Sequence, residues 1–530
     1  MPVPLDVETT TNGLEVQLNS GAPISKLHDD ILWSIFTINA ETPPSETYFP
    51  LTTTRNSSQV RRSWRELILR SSSLWGKLID LDLLDQENDD WRREVVRRSR
   101  TSLLWIRGRV TSSTLREFLF SLMSDDWGRI QKLDIHMEIR ENMHEENSKA
   151  WNMLTHSAPN LQVFKLSSRY STHLLPTSSS PLLGTSSPAL REFNAPGMTF
   201  SLKAPWLSNI RCMSFSPPFT VPDIFEALKA MPCLEDLAIR SAPWVPTAKV
   251  IFPDVHLPRL QNLRLRGRLS LCRPFLDNII ASSGCSLSLV TKNPGTTIPE
   301  LDMSEVAHQS ISRYIQPYKK SDEKKQIFIR CSGDDLTIHD HKRVDTPLYF
   351  SHSFSWGIYG YPNLSTLLLK ELSQFSNVTE MDLGLMNIRQ LSSKIALNLS
   401  SFRFLEVLET NDETLKFLLD HADETPNIFP ALHTIKLAGL NPPEHDSDPY
   451  PAEIILPFFI RRQESGHPIS IFDLSNFSFH QLYDMDFLNV LTGMKVVWRH
   501  PTDGLMEYEC GSKGSENLRF RSSWLPSSSQ

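Results

Sequence analysis

One phrase recurs along this chain: a proline or small residue, then leucine, two variable positions, an apolar residue, one variable position and a second apolar residue. It is written Pro159-Asn-Leu161-Gln-Val-Phe164-Lys-Leu166, Pro232-Cys-Leu234-Glu-Asp-Leu237-Ala-Ile239 and Pro258-Arg-Leu260-Gln-Asn-Leu263-Arg-Leu265. It returns as Pro362-Asn-Leu364-Ser-Thr-Leu367-Leu-Leu369 and Pro430-Ala-Leu432-His-Thr-Ile435-Lys-Leu437, with weaker copies beginning at Ile130, Leu190, Leu207, Val378 and Leu405. The first apolar position advances from 130 to 161 to 190, from 234 to 260 and from 405 to 432. Within the phrase the alternation is that of a strand with leucines on one side and variable residues on the other. Each interval leaves room for one helix, as at residues 224–231 and 275–280. A strand and a helix cannot bury their apolar faces alone, so successive copies must stack.

This phrase resembles the strand of a leucine-rich repeat. The resemblance implies an α/β fold, an irregular solenoid with parallel strands lining a concave face and helices outside. The copies are uneven: the asparagine or cysteine that closes a well-formed repeat is missing after Ile239 and Leu265. Between Leu260 and Leu364 only Ser286-Leu287-Ser-Leu289 and Gln326-Ile327-Phe-Ile329 offer degraded strands. An ordinary doubly wound or mixed α/β domain is the competing reading. Residues 176–188 and 319–325 read as surface loops, and 441–451 separates the last clear copy from a C-terminal section. That section offers a helix at 454–462, a strand at 469–474, a helix at 485–491 and a strand at 495–498, and is expected to cap the stack.

The chain has 530 residues, 40% hydrophobic and 22% charged, with a net charge of −7. An acidic balance argues against nucleic acid as a partner. No apolar run reaches the roughly 18 residues that a membrane span needs, and the first residues do not form a secretory signal, so a cytoplasmic or nuclear protein is expected. The cysteines Cys212, Cys233, Cys272, Cys285, Cys331 and Cys510 include no CxxC pair and read as buried apolar residues. The run from Arg92 to Arg100 places Arg93, Arg97 and Arg100 along one solvated helix face.

Near the N-terminus, Ile24, Leu27, Ile31, Leu32, Ile35 and Phe36 fall at gaps of three and four, one stripe of a helix that Ser25 can cap. Val60, Trp64, Leu67 and Ile68, then Leu74 and Trp75, repeat the pattern with a break at 71–73. Two such short helices cannot bury both apolar faces themselves, so a partner helix or the following domain must cover the remainder.

The string Val60, Ser63-Trp64-Arg65-Glu66, Leu69, Ser73-Leu74-Trp75 resembles the second half of the F-box in a large family of proteins from mushroom-type fungi. The family has proline where His28 stands and cysteine where Arg61 stands, and the polar stretch 41–56 lengthens the loop between the helices. The resemblance implies a non-catalytic substrate-recognition subunit of an SCF-type cullin ubiquitin ligase, docking to a Skp-type adaptor and through it to a cullin. Leu27, Ile31, Leu32, Ile35, Phe36, Val60, Trp64, Leu67, Leu74 and Trp75 would supply the adaptor-facing and supporting groups. A repeat scaffold with a vestigial F-box is the alternative. The expected organisation is a disordered segment 1–22, the F-box-like module 23–80, the repeat region 81–440, the cap 441–510 and a disordered tail 511–530.

No catalytic motif is found: GxGxxG, GxxxxGK[ST] and G-x-S-x-G are all absent. His144-Glu-Glu-Asn-Ser148 begins like a zincin helix, but Ser148 stands where a second histidine ligand is needed. His339 and His341 would share one side of a strand, with Asp334 or Asp335 nearby, and read best as a polar strand end. No cofactor and no metal are expected. On the outward strand positions the phrase places Arg211, Arg240, Arg264 and Arg266 against Asp236, then Glu380, Asp382 and Glu409. The arginines are candidate contacts for an acidic or phosphorylated protein client.

Overall fold

The computed structural model describes residues 23–45, 47–85, 89–138, 151–168, 182–184, 187–240, 252–292, 304–319, 325–332, 335–340, 354–376, 378–386, 392–439, 452–477, 482–513 and 518–520. Expectations for 1–22, 144–148, 441–451 and 521–530, and for Asp334 and His341, lie outside them. The fold is mixed α/β with mostly parallel sheet, and the chain divides into two compact units. Among the described residues no helix is long and apolar enough to cross a membrane.

The first unit, residues 1–219 with 226–233, begins with four helices, α1 (Asp29–Glu41), α2 (Pro50–Val60), α3 (Arg62–Arg70) and α4 (Ser72–Gly76). The sequence led us to expect two helices joined by a long loop. Part of that loop is instead helical, because Pro50 presets the first turn and Leu51 and Thr54 are buried. Val60 therefore ends α2 and does not share a face with Trp64. The first helix starts at Asp29, with His28 as its N-cap and the short 3₁₀ turn Pro23–Lys26 before it.

Strands β1 (Ile79–Asp80), β2 (Leu104–Val110), β3 (Ile130–Met137), β4 (Val163–Ser168), β5 (Glu192–Asn194) and β6 (Cys212–Phe215) follow, each parallel to its predecessor. Helices α5 (Leu81–Leu84), α6 (Asp90–Ser99) and α7 (Ser113–Asp126) belong to the same unit. The register stacks Ile79, Ile106, Leu133, Phe164, Phe193 and Met213 into one buried row, with the rings of Phe164 and Phe193 stacked at 5.4 Å. In the copy read from Leu207 the frame is three residues late: Ile210, Met213 and Phe215 are the buried positions. Leu207 lies in the 3₁₀ turn Pro205–Asn209 instead.

The second unit, residues 220–225 with 234–530, carries β7 (Asp236–Arg240), β8 (Val255–Leu257), β9 (Asn262–Gly267), β10 (Ile279–Ala281), β11 (Ser286–Lys292), β12 (Lys325–Ser332), β13 (Asp335–His339) and β14 (Phe354–Tyr359). β15 (Val378–Met386), β16 (Val407–Asn411), β17 (Thr434–Gly439), β18 (Ile471–Asp473), β19 (Lys495–His500) and β20 (Gly504–Glu509) complete it. β7, β9 and β11 run parallel in chain order, as do β15 to β19. Between them the order is reversed: β11 pairs with β14, β14 with β13, β13 with β12, and β12 with β15. This antiparallel insertion fills the region where the phrase is lost. β8 and β10 form a separate parallel pair.

Helices α8 (Leu269–Asn278), α9 (Ser304–Lys319), α10 (Pro362–Leu372), α11 (Ser392–Leu399), α12 (Asp412–Asp420) and α13 (Ala452–Glu464) connect these strands. Apolar side chains such as Leu276, Ile311, Leu368, Leu415 and Phe459 are buried there. One clear copy of the phrase is not a strand: Pro362–Leu372 is α10, with Pro362 in its first turn and Leu364, Leu368 and Leu372 on its buried face. At the C-terminal end β18 and β19 extend the parallel order and β20 turns back antiparallel. Leu518 and Phe520 are buried, with Phe520 edge-on to Trp498, so packing continues past residue 511, where the tail was expected to begin.

Candidate functional site

In α1 the side chain of His28 accepts from the Asp30 amide at 3.4 Å, and Asp29 and Asp30 occupy the first turn, where the helix dipole favours acids. Asp29 also accepts from Arg70 at 2.9 Å, tying α3 to α1. Leu32, Phe36 and Ala40, spaced four apart, face inward and are buried. Phe36 meets the edge of the Trp64 ring at 5.5 Å. Leu67, Ile68, Leu74 and Trp75 are buried beneath, and the Trp75 indole donates to the Ile68 carbonyl at 2.9 Å.

The opposite side of α1 is also apolar, yet it lies in water. Ile31, Ile35 and Ile38, at spacings of four and three, are 50%, 38% and 63% exposed. Ile24, Trp33, Phe49 and Val60 are exposed as well, with Val60 at 65%. The ten residues read from the sequence therefore sort in three ways. Ile31, Ile35 and Val60 are open to a partner, Leu27 and Trp64 are half-buried, and Leu32, Phe36, Leu67, Leu74 and Trp75 support the module from within. Sequence reasoning missed Ile38 and Phe49; Ile38 continues the i, i+4, i+7 stripe from Ile31, a signal the sequence contained.

In the second unit, Leu263 and Leu265 are buried while Arg264 and Arg266 are exposed on the outward side of β9. Arg240 stands directly opposite Arg266 in the β7–β9 register, and Ala238 opposite Arg264. Arg264 is engaged by Asp236 at 2.5 Å. Among the described residues Arg240 and Arg266 have no acidic partner. Partial desolvation first, then the charges of Arg264 and Arg266, hold the Arg240 guanidinium below its usual range. Such mutual repulsion is relieved by an anion. Arg211 precedes β6, is exposed and belongs to the first unit.

Along the same outward side, Asp382 is buried and paired with Arg330 at 2.9 Å. The Arg330 side chain lies over Gly384, where a β-carbon would obstruct it. Glu409 is buried and accepts from Asn476 at 3.2 Å, and Glu380 is half-buried. Asp382 and Glu409 are thereby committed within the sheet face. His339 stacks on Phe328 at 4.7 Å.

Among the described residues no group of three His, Cys, Asp or Glu side chains is arranged to hold a metal. Burial pushes the thiols of Cys272, Cys285 and Cys331 up to about 12 and that of Cys510 to about 11, leaving them protonated at neutral pH. Cys212 and Cys233 are half-buried, less enclosed than the sequence led us to expect. No protein-family model matches this sequence, and no curated protein matches it either.

Proposed function

We propose that the chain is a non-catalytic substrate-recognition subunit of an SCF-type cullin ubiquitin ligase, working in the cytoplasm or nucleus. On this reading the N-terminal helices are an F-box that docks to a Skp-type adaptor. The parallel strands of each unit belong to an irregular leucine-rich-repeat solenoid whose outward face takes a protein client. The observation that carries the reading is α1, apolar on two sides, one packed on its own module and the other exposed as Ile31, Ile35 and Ile38. A contiguous apolar surface of this kind marks a protein interface.

The test is a pull-down of purified full chain with a recombinant Skp-type adaptor. Ile31→Asp/Ile35→Asp is expected to weaken capture about a hundredfold or more, since two carboxylates would be desolvated in the interface. Its melting temperature should fall only slightly, because Ile31 and Ile35 already expose 50% and 38% of their surface. No adaptor capture by the wild type, while a control F-box protein retains it, would sink the proposal. The second reading, a repeat scaffold with a vestigial F-box, is favoured by His28 at the N-cap and Arg61, exposed between α2 and α3.

For the client, Arg240 and Arg266 suit an acidic or phosphorylated segment held by charge-assisted hydrogen bonds. Millimolar inorganic phosphate is expected to raise the melting temperature of the wild type and not that of Arg240→Ala/Arg266→Ala. Equal shifts in both proteins would remove the arginine pair from the client surface.

A further inference from the structure

We infer that the groove between β10 and α9 is a binding site for an extended, carboxylate-bearing peptide segment of a partner protein. The groove encloses about 510 Å³, and the consecutive residues Ile279, Ile280, Ala281, Ser282 and Ser283 line it on one side. Among the described residues β10 pairs with no strand but β8; the Ile279 amide is taken by the Phe275 carbonyl, so an added strand would pair with the backbone from Ile280 onward. An open strand edge beside an apolar trough accepts an added strand, whose backbone supplies hydrogen bonds and whose alternate side chains enter the trough. Ile280, 43% exposed, is the apolar contact already waiting in water.

The opposite wall selects the ligand's chemistry. Tyr314 lines the groove, and its buried hydroxyl has no hydrogen-bond partner among the described residues. Burial raises its pKa, so it remains a proton donor at physiological pH. Beside it the Arg313 guanidinium donates only to the Asp277 carbonyl, at 3.3 Å, and meets no carboxylate among the described residues. The Asp277 carboxylate is taken by Arg273 and Ser310. A buried hydroxyl without a partner beside an exposed guanidinium that meets no carboxylate calls for a carboxylate on the incoming segment. The nearby Cys285 thiol, pushed up to about 12, only lines the wall. This site does not depend on the ligase reading.

The test begins with a displayed library of random heptapeptides selected on the full chain. Enrichment of β-branched sequences with Asp or Glu at a fixed position is expected. A selected peptide, synthesised and titrated, should bind Tyr314→Phe at least about tenfold more weakly and Arg313→Glu not measurably. Tyr314→Phe should melt no lower than the wild type, because the hydroxyl it loses has no partner in the free protein. Failure to enrich any peptide, enrichment without an acid, equal binding to both variants, or a lower melting temperature for Tyr314→Phe would each overturn the site.

Discussion

Arg462→Ala is expected to cost the second unit about 4 kcal/mol, the range for stripping a buried charge from its hydrogen-bond partners. Arg462 is 4% exposed near the end of α13. Its guanidinium donates to the carbonyls of Ile428 at 2.6 Å, Phe429 at 3.1 Å and Leu432 at 3.0 Å. Those carbonyls belong to the turn before β17, where Phe429 has a φ of 52°, a conformation that few non-glycine residues adopt. Burial lowers the group to about 10, so it remains charged at neutral pH. Removing it strands the buried carbonyls of Ile428 and Leu432, while that of Phe429 keeps the Leu432 amide at 3.0 Å, and opens a cavity beneath α13. Arg462→Met restores volume without donors, and Arg462→Lys restores charge without the planar fork, so both should fall between wild type and alanine. Urea denaturation followed by circular dichroism measures the series. A loss below about 1 kcal/mol for alanine would mean that the turn closes without the arginine.

The strands that the sequence announced are those whose pairing needs only local information. In Leu263-Arg264-Leu265-Arg266 the period of two is self-contained, and the outward placement of both arginines could be read directly. Pro362-Asn-Leu364-Ser-Thr-Leu367-Leu368-Leu369 was ambiguous, because a leucine-rich run satisfies both periods. The continuation Lys370-Glu371-Leu372 completes the buried helical face, and proline suits a first helical turn. The reversal of β12, β13 and β14 was beyond the sequence because register there is set against distant partners. On α1 the sequence showed apolar residues without showing which of them the module covers. A partnerless hydroxyl such as that of Tyr314 leaves no trace in sequence at all, since it is defined by what surrounds it.

Gly76→Ala separates packing from propensity by the sign of its effect. Alanine in a helix is favoured over glycine by about 1 kcal/mol, so α4 alone should gain. Gly76 is buried, however, and a β-carbon there would fall on the backbone carbonyl oxygen of Leu103, with the carbonyl carbon at 3.4 Å and the Ser102 β-carbon at 3.5 Å. That carbonyl leads into β2, which is held between β1 and β3 and cannot retreat. The helix cannot move away either. Trp75 is fixed by its bond to Ile68, by the Trp91 edge at 6.3 Å and by the Arg98 guanidinium 4.6 Å above its ring. Ser72 and Ser102 are joined by a hydroxyl hydrogen bond at 2.9 Å. The first unit is therefore expected to lose about 3 kcal/mol, read as a lowered melting temperature. Gly128→Ala, with nothing within 4 Å of its new β-carbon, is the matched control and should change little. The exposed isoleucines of α1 are untouched by this substitution. Adaptor capture by Gly76→Ala should thus survive at temperatures where the unit is folded, whereas Ile31→Asp/Ile35→Asp should lose capture while remaining folded. A Gly76→Ala protein as stable as the wild type would show that the α4–β2 junction can open, and the rigid seating of the helical module on the sheet would have to be given up.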